Sequence, residues 1–210
     1  MTIANVQPKQ IDDIGELSAV AFADDPIFRE VFTDRRRHRA YLLTTLAITL
    51  RSKAPERIAR VALRDDAVVG VAVWNTEGAK SLPTDLDRDM SRVLRKFLRR
   101  LGPDRQRFAR FVLTHRATMP MEPGWLLGHL AVHPDHHRSG IGSALLADGL
   151  ARADAQGRTV FVQTSRPEYV AFYERSGFTV ISCHELYPDS PLLWNLRRAP
   201  SIPPDALAAS

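Results

Sequence analysis

A segment in the second half of the chain combines basic, small and glycine residues in a pattern that suits anion binding. It reads LAVHPDHHRSGIGSALL over residues 130–146. An apolar stretch ends at Val132, and a helical pattern begins after Gly140. The first N–H groups of a helix have no partner within the helix and lie at the positive end of its dipole. Gly140 and Gly142 let an anion approach the backbone, and Arg138 adds a charge-assisted donor. The segment therefore predicts a cradle for a pyrophosphate group.

The glycine spacing excludes two common nucleotide-binding loops. A nucleotide-hydrolysing loop ends in Gly-Lys-Ser or Gly-Lys-Thr, which this segment lacks. The dinucleotide fingerprint needs a third glycine and an acidic residue at the end of the next strand, and this segment has neither. On spacing alone, an ordinary turn between a strand and a helix stays open as the alternative.

The segment resembles motif A of the GNAT superfamily of N-acetyltransferases, whose pattern is Gln/Arg-x-x-Gly-x-Gly/Ala. That pattern falls on residues 137–142, and residues 130–134 resemble the splayed fourth strand of the family. Residues 172–178 (FYERSGF) resemble motif B in the expected order and at the expected distance. The resemblance covers roughly residues 10–198. Within the superfamily the chain is most similar to the puromycin-type N-acetyltransferases, through residues 21–26, 71–74, 122–125 and 163–165.

The resemblance implies that acetyl-CoA is the co-substrate. Two positions depart from the family pattern: His137 replaces the usual Gln or Arg with a smaller ring, and Arg166 replaces a common asparagine. We expect His137 to affect affinity for the coenzyme, while Arg166 either adds a cation beside its acidic groups or lies in solvent. The residues implied to bind the coenzyme are Leu130, Ala131, Val132, His137, Arg138, Ser139, Gly140, Ile141, Gly142 and Ser143.

The resemblance also implies a direct attack of the amine on the thioester. Such a reaction needs no nucleophilic cysteine or serine, in agreement with the single cysteine, Cys183. A backbone N–H of the splayed strand would stabilise the charge that develops on the carbonyl oxygen. Tyr173 is implied as the general acid that protonates the leaving thiolate. Because Tyr169, Phe172 and Tyr173 share one helical face, a purely structural role as a core aromatic is the alternative.

The base that removes the amine proton is predicted less directly. Glu122, at the entry to the strand, is the catalytic candidate. His115, His129 and a chain of water molecules are alternatives, and the alternation along the strand leaves His129 open as a hydrogen-bonded core histidine.

No metal site is predicted from the histidines near motif A. A proline separates His133 from His136, whereas His136 and His137 are adjacent and diverge, and no nearby cysteine completes a ligand set. Three aromatic residues either line the acceptor pocket or belong to the core: Trp74, Trp125 and Phe28.

The elements that must position these residues follow from hydrophobic periodicity. The second half of the chain alternates strands and helices, and residues 57–74 form a predicted hairpin with an acidic turn. With the resemblance, this predicts a mixed α/β, GNAT-like fold: a central, twisted, mostly antiparallel sheet, splayed between its fourth and fifth strands and flanked by helices. Helices are expected over 11–21, 35–53, 80–110, 142–156 and 167–176, and further strands over 125–132, 159–164, 178–186 and 192–197.

Length and composition describe one globular domain. The 210 residues are 44% hydrophobic and 25% charged, which excludes collagen-like, disulfide-rich and fully disordered classes. We predict a single domain over residues 1–198 and a flexible tail over 199–210. The N-terminal helices and residues 75–122 are expected on the acceptor side, and residues 125–180 form the predicted coenzyme-binding core.

Arginine dominates the positive charge. Lys and Arg number 29 against 24 acidic residues, which gives a net charge of +5, and only four of the 29 are lysine. The excess suits nucleic acid, a bidentately bound anionic ligand, or the codon bias of a GC-rich source. The RKFLRR block at residues 95–100 is the best nucleic-acid candidate, but its apolar residues recur at helical spacing, which favours a solvated helix face. Nucleic acid is therefore disfavoured as a partner.

No targeting or membrane-spanning segment is predicted. Residues 1–10 lack the apolar stretch of a signal peptide. The longest apolar-leaning run, residues 40–50, is far shorter than the ~20 residues of a membrane span. We therefore expect a cytoplasmic protein with no membrane partner, and a homodimer is a reasonable default.

These observations predict an acetyl-CoA-dependent N-acetyltransferase that acts on a primary amine, with a small molecule as the favoured acceptor. Three alternatives stay open: an enzyme that acetylates a protein or peptide, a non-catalytic acyl-CoA sensor, and an arginine-rich nucleic-acid binder. The sensor would keep the cradle and would not need Tyr173.

Overall fold

Seven strands form one sheet in which the fourth and fifth strands lie side by side. The computed structural model describes residues 1–52, 56–76 and 88–201. The strands are β1 (Thr2–Asn5), β2 (Arg57–Arg64), β3 (Ala67–Asn75), β4 (Trp125–Val132), β5 (Val160–Thr164), β6 (Thr179–Glu185) and β7 (Leu192–Arg198). Their order is β1-β2-β3-β4-β5-β7-β6, and every neighbouring pair is antiparallel except β4 and β5.

Helices cover both faces of this sheet. They are α1 (Ile11–Ala21), α2 (Pro26–Val31), α3 (Arg35–Arg51), α4 (Arg88–Arg100), α5 (Arg105–Ala117), α6 (Ile141–Asp154) and α7 (Pro167–Glu174). Asp25 begins α2 by accepting hydrogen bonds from the N–H groups of Ile27 and Phe28, and Asp34 caps α3 in the same way through Arg36. None of the helices within the described ranges is both long and apolar enough to cross a membrane.

Three clusters of apolar side chains hold the layers together. On one side of the sheet, the back face, α6 and α7 pack around the fully buried Trp74 and Trp125. On the other side, the front face, α1 and α3 pack on the sheet around the fully buried Ile14 of α1 and Val71 of β3. An aromatic cluster joins α2, α4 and α5, and it meets β7 at Leu193. The predicted fold class is confirmed by this arrangement.

Most predicted elements are present, with one division. The helix expected over 80–110 is two helices, because Gly102 has φ +52° and Pro103 cannot donate the hydrogen bond that a continuous helix requires. Residues 80–87 of that prediction lie outside the described residues, as does the predicted tail beyond residue 201. The predicted boundary at residue 198 coincides with the end of β7.

A bulge in β4 changes which residues face each layer. Gly128 has no partner in β3, because consecutive β3 residues pair with β4 residues two positions apart: Val73 with His129, and Trp74 with Leu127. A Cβ on Gly128 would lie 2.8 Å from Nδ2 of Asn75, so the close approach favours glycine. Before the bulge, Trp125 and Leu127 face the back layer; after it, His129 and Ala131 face the front layer, and Leu130 and Val132 the back layer.

Candidate active site

An opening between β4 and β5 begins where the bulge ends their pairing. The two strands pair in parallel only from Trp125 to Leu127 on β4 and from Val160 to Val162 on β5. Beyond this point β4 pairs with β3, and β5 pairs with β7. The predicted splay between the fourth and fifth strands is thus confirmed.

Backbone groups of β4 point into the opening. The N–H of His133 donates to the carbonyl of Val69 at 3.0 Å, and it therefore points toward β3. Successive residues of a strand direct their backbone groups to opposite sides, so Ala131 also faces β3, whereas Leu130 and Val132 face the opening. Of the three predicted strand residues, Ala131 is not brought to the opening.

The ring of His137 covers one of these backbone groups. Its Nε2 lies 3.1 Å from the carbonyl oxygen of Val132, to which it donates. The groups left facing the opening are the N–H and C=O of Leu130 and the N–H of Val132. His137 therefore contacts the end of the strand, and its Nε2–H is used there rather than offered to an anion.

The N-terminus of α6 has the open space and the free N–H groups that the predicted anion cradle requires. Gly140 is left-handed (φ 80°), and no atom lies within 4 Å of where its Cβ would be. No side chain caps the helix, and its first internal hydrogen bond runs from the N–H of Ala144 to Gly140. The N–H groups of Ile141, Gly142 and Ser143 are therefore presented to this open space.

The loop before α6 adds a cation. Arg138 is left-handed (φ 59°) and exposed, and its guanidinium has no ion-pair partner in the described part of the chain. Ser139 donates its hydroxyl proton to the carbonyl of His136 at 2.6 Å, which fixes the loop from within. Gly142 lies between Val132 and Phe172, which are 3.6 and 3.8 Å from where its Cβ would be. These residues fit a long ligand that carries a pyrophosphate.

Tyr173 lies on α7 with its ring in the back-face core. The ring is 7% exposed and packs edge-to-face against Phe172 and Phe178, with centroids 5.1 and 5.7 Å away. Burial, reinforced by Tyr169, raises the pKa of the Tyr173 phenol well above its usual range. The phenol therefore stays protonated at neutral pH, as a proton donor must, and the ring has a packing role as well.

Glu122 lies at the far end of the strands. It forms a two-pronged ion pair with Arg197 at 2.7 and 2.9 Å and accepts from Thr159, the residue before β5. At 3.3 Å per residue, Thr159 is about 13 Å from the level of Gln163, where the opening begins. The hydrogen bonds and charge of Arg197 lower the pKa of the Glu122 carboxyl. The structure therefore does not place Glu122 where the predicted general base would have to act.

His129 faces the front layer as a hydrogen-bonded histidine. Its Nε2 lies 2.9 Å from the Ser18 hydroxyl, and its ring centroid is 4.9 Å from that of Phe22. Burial lowers the pKa of His129 to about 4, so the ring is neutral at pH 7. The one sign of this contact in the sequence is that Ser18 is a polar residue on the apolar face of the predicted helix α1.

A polar network on the front face joins α5 to β5 and the last two strands. Gln163 Nε2 donates to Oδ1 of the buried Asn195 at 2.6 Å, and Asn195 Nδ2 donates to the carbonyl of Thr118, at the end of α5, at 3.2 Å. Burial lowers the pKa of His115 on α5, and an interaction with the Gln163 side chain partly offsets this. Asn195 Nδ2 in turn lies 3.1 Å from His184 Nε2. His115 is a candidate from the sequence, whereas Gln163, Asn195 and His184 were missed, because polar residues inside predicted strands give no sign of which distant side chain they contact.

The remaining candidates fall outside the opening. Trp74 and Trp125 belong to the back-face core, and Phe28 to the aromatic cluster. Arg166 pairs with Glu168 at 3.1 Å. Among the described residues, no group of three or more His, Cys, Asp or Glu side chains is arranged to hold a metal ion.

A family model matches the part of the chain that builds this opening. Residues 105–180 match the acetyltransferase (GNAT) domain, from α5 through α7 to the start of β6. The match thus covers the strand, loop and helix that border the opening. This match confirms the predicted acyltransferase class, and acetyl-CoA is the co-substrate of GNAT acetyltransferases.

Solved structures show that the fold extends beyond the GNAT match. The histone acetyltransferase HPA2 and related acetyltransferase from Corynebacterium glutamicum is 20% identical, with a TM-score of 0.67 over 97% of this chain and 98% of that one. The ribosomal-protein-S18-alanine N-acetyltransferase from Escherichia coli is 13% identical (TM-score 0.56, 96% and 95% covered). An aminoglycoside 6'-N-acetyltransferase complexed with coenzyme A is 14% identical (TM-score 0.56, 98% and 100% covered). At these identities the likeness concerns the fold.

Proposed function

We propose that the protein is an acetyl-CoA-dependent N-acetyltransferase that acetylates the primary amine of a small molecule, as the resemblance to puromycin-type enzymes implies. One observation carries the proposal: the uncapped N-terminus of α6 and the free backbone groups of Leu130 border the same opening. The first suits a pyrophosphate and the second a thioester arm with its carbonyl.

Different residues around the opening bind the coenzyme, stabilise negative charge on the carbonyl oxygen and donate a proton to the leaving group. The N–H groups of Ile141, Gly142 and Ser143, with Arg138, bind the phosphates. When bound, acetyl-CoA supplies the activated acetyl group. A β4 backbone N–H stabilises the negative charge on the carbonyl oxygen, an effect worth about 3 kcal/mol in oxyanion holes. Tyr173 gives its proton to the departing sulfur.

The front face of the opening favours a compact acceptor. Helices α1, α2 and α5 each contact the strand ends there. Ser18 of α1 bonds to His129, Asp25 at the start of α2 accepts from Ser165 (2.7 Å), and the Thr118 carbonyl at the end of α5 accepts from Asn195 (3.2 Å). An extended peptide would need an open groove across this face, whereas a small amine needs only an entrance. The solved structures of similar fold include enzymes named for a protein and for an aminoglycoside, so the test must contain both classes.

Coenzyme binding and thiol release test the proposal together. We expect calorimetry to give a dissociation constant for coenzyme A of about 1 μM to 1 mM, the usual range for enzyme substrates. Free thiol should then form from acetyl-CoA with at least one member of a panel holding puromycin, aminoglycosides, polyamines, arylalkylamines and N-terminal peptides. Absence of binding at near-millimolar coenzyme A contradicts the enzyme and the sensor alike. Binding without release from any amine favours the sensor, and release only with peptides favours the protein-directed alternative.

The open space at Gly140 provides a direct test of the cradle. We expect Gly140→Ala to weaken coenzyme A binding about tenfold or more, because a Cβ in a left-handed residue strains the turn by about 1–2 kcal/mol and displaces the presented N–H groups. Calorimetry measures the change.

Gly157→Ala is the matched control. Gly157 is also left-handed (φ 62°) and has no atom within 4 Å of a built Cβ, but it lies beyond the other end of α6. It should lose similar thermal stability and keep its affinity for coenzyme A. Equal losses of affinity in both variants would mean that the effect is one of stability alone.

A further inference from the structure

Helices α4 and α5 concentrate the positive charge of the chain. Residues 88–117, from the start of α4 to the end of α5, hold ten of the 29 basic residues and two of the 24 acidic ones. The rest of the chain therefore has 19 basic and 22 acidic residues. One of the two acids, Asp104, is buried and pairs with Arg37 at 3.0 Å and with Arg107 at 3.6 Å. The surface of these two helices is thus strongly basic.

An apolar groove of about 360 Å³ lies between the same helices, and we call it the α4–α5 groove. Leu98 and Leu101, at the end of α4, line one side of it. Residues of α5 at a spacing of three and four line the other side: Arg105, Phe108, Ala109, Val112 and Leu113. Leu101 is only 2% exposed, whereas Leu98 is 43% and Leu113 is 71% exposed. The groove therefore has a buried floor and apolar edges that a partner could cover.

Exposed arginines border the α4–α5 groove. Arg105 and Arg116 lie on the same face of α5, before and after its apolar residues, and are about 16 Å apart at 1.5 Å per residue. Arg95 lies one turn before Leu98 on α4. All three arginines are exposed, and none of them forms an ion pair with a residue in the described part of the chain. The two ends of an apolar stripe thus carry positive charge that an anionic group could neutralise.

We propose that the α4–α5 groove is a docking site for an acidic amphipathic helix of a partner protein. Apolar side chains of the partner at positions i, i+3, i+4 and i+7 fill the groove, as in other helix-in-groove complexes. Carboxylates one turn beyond each end of this apolar face pair with Arg105 and Arg116. This interaction surface does not depend on the proposed acetyltransferase function.

Charge and shape favour this occupant over three others. A second copy docked through the same surface would bring two strongly basic faces together, and like charges repel. Nucleic acid would pair with the arginines but would leave the apolar floor without an apolar partner. A membrane takes up a broad apolar face, whereas here Leu98 and Leu113 stand beside a concave groove. An acidic amphipathic helix satisfies the apolar floor and the cationic ends together.

The length of the groove sets the strength of binding that we expect. Its lining on α5 runs from Arg105 to Leu113, which is about 12 Å, or two turns of a partner helix. A contact of this size is small, so we expect a dissociation constant of about 10–100 μM. Part of the attraction is between exposed charges, so added salt should weaken it.

Fluorescence anisotropy with a synthetic peptide tests the proposal. The probe is a labelled peptide of ~18 residues, mostly alanine and glutamine, with leucines at i, i+3, i+4 and i+7 and glutamates one turn beyond each end. We expect it to bind and to lose affinity about tenfold between ~0.05 M and ~0.5 M salt. A peptide of the same composition, in which the leucines share no helical face, should bind at least about tenfold more weakly.

Leu113→Glu is the variant that tests the groove, with Leu192→Glu as the matched control. L113E places a carboxylate at the apolar edge and should lower the affinity for the glutamate peptide about tenfold or more. Leu192 is 42% exposed at the start of β7 and does not line the groove, so L192E should stay within about twofold of the wild type. Both leucines are already exposed, so both variants should keep the melting temperature of the wild type.

Charge reversal tests the complementarity of the two surfaces. The double variant Arg105→Glu, Arg116→Glu should lose the glutamate peptide and should bind a version with lysines in place of the glutamates more tightly than the wild type does. Equal affinity of the wild type for the glutamate and lysine peptides contradicts the proposal. An equal loss in L113E and L192E contradicts it too, as does absence of binding at about tenfold above the expected dissociation constant.

The other three occupants are separate outcomes of the same experiment. The further probes are vesicles with ~30% anionic lipid, a ~20-bp DNA duplex at ~0.15 M salt, and the protein itself in sedimentation. If L113E abolishes binding to vesicles or duplex, or self-association, and the glutamate peptide does not bind, the groove serves that other occupant and the proposal is wrong. Binding of the glutamate peptide that L113E weakens and L192E does not supports it.

Discussion

Replacing Tyr173 with phenylalanine is expected to lower kcat about a thousandfold and to leave the dissociation constant of coenzyme A within about twofold. The substitution removes only the hydroxyl, so the edge-to-face contacts with Phe172 and Phe178 persist. A positioned general acid increases the rate of a reaction about 10²–10⁴-fold. Without it, the leaving thiolate has to take its proton from water. The buried phenol is neutral over the working pH range, because its pKa is raised.

Single-turnover thiol release and calorimetry measure the two quantities separately. Tyr169→Phe is the control: Tyr169 lies on the same helix but is 40% exposed, and its loss should change kcat by less than about threefold. Turnover by Y173F at the wild-type rate, with unchanged affinity, would assign Tyr173 to the core alone. A joint loss of turnover and coenzyme binding would instead indicate that the ring shapes the coenzyme site.

The fold could be predicted from the sequence because its signals are local. Apolar spacing of three and four, the prolines that open α2 and α7, and a glycine after α6 each act within one turn of chain. The hairpin of β2 and β3 turns at Asp65 and Asp66, both with positive φ, as the acidic turn predicts. The bulge at Gly128 was harder to predict, because a glycine within a strand is compatible with a continuous strand and with a bulge.

The residues of the candidate site were predicted unevenly, because the position of some of them depends on distant contacts. Glu122 precedes β4 in sequence, but its partner Arg197 lies 75 residues away and fixes it at the end of the strands opposite the opening. Gln163 and Asn195 meet across neighbouring strands although they are 32 residues apart, which no spacing rule contains. Motif A, in contrast, is a strand, a loop and a helix start in one stretch, so the backbone arrangement of the proposed cradle could be predicted from the sequence alone.

The arginine excess also has a more specific explanation in the structure. Arg60 of β2 forms a two-pronged ion pair with Asp148, and Arg198 of β7 forms one with Asp154 at 2.7 and 2.9 Å. Both acids lie on α6, and these pairs are less exposed than ordinary surface pairs. Two arginines thus fix on the sheet the helix whose N-terminus forms the proposed cradle, so part of the positive charge supports that proposed site from a distance.

At Gly149, helix α6 packs very closely against Trp74 of β3. A Cβ on Gly149 would overlap Cε2 and Cζ2 of Trp74 and lie 2.5 Å from its Nε1. Trp74 is fully buried against Trp125, with centroids 6.5 Å apart, and cannot move aside. We therefore expect Gly149→Ala to lower the free energy of unfolding by about 3 kcal/mol, the upper range for overpacking. The melting temperature should fall by about 6–12 °C.

The sign of the change in melting temperature distinguishes an effect of packing from an effect of helix propensity. Glycine to alanine inside a helix normally stabilises by about 1 kcal/mol, so a rise in melting temperature would contradict the overlap. Trp74→Phe removes the three overlapped atoms, and because Trp74 Nε1 has no hydrogen-bond partner, the change breaks no hydrogen bond. The double variant should then be more stable than the two single effects predict when added. Because a displaced α6 carries Ile141 and Gly142 with it, coenzyme A affinity should fall in Gly149→Ala and recover in the double variant, which would link the buried contact to the cradle.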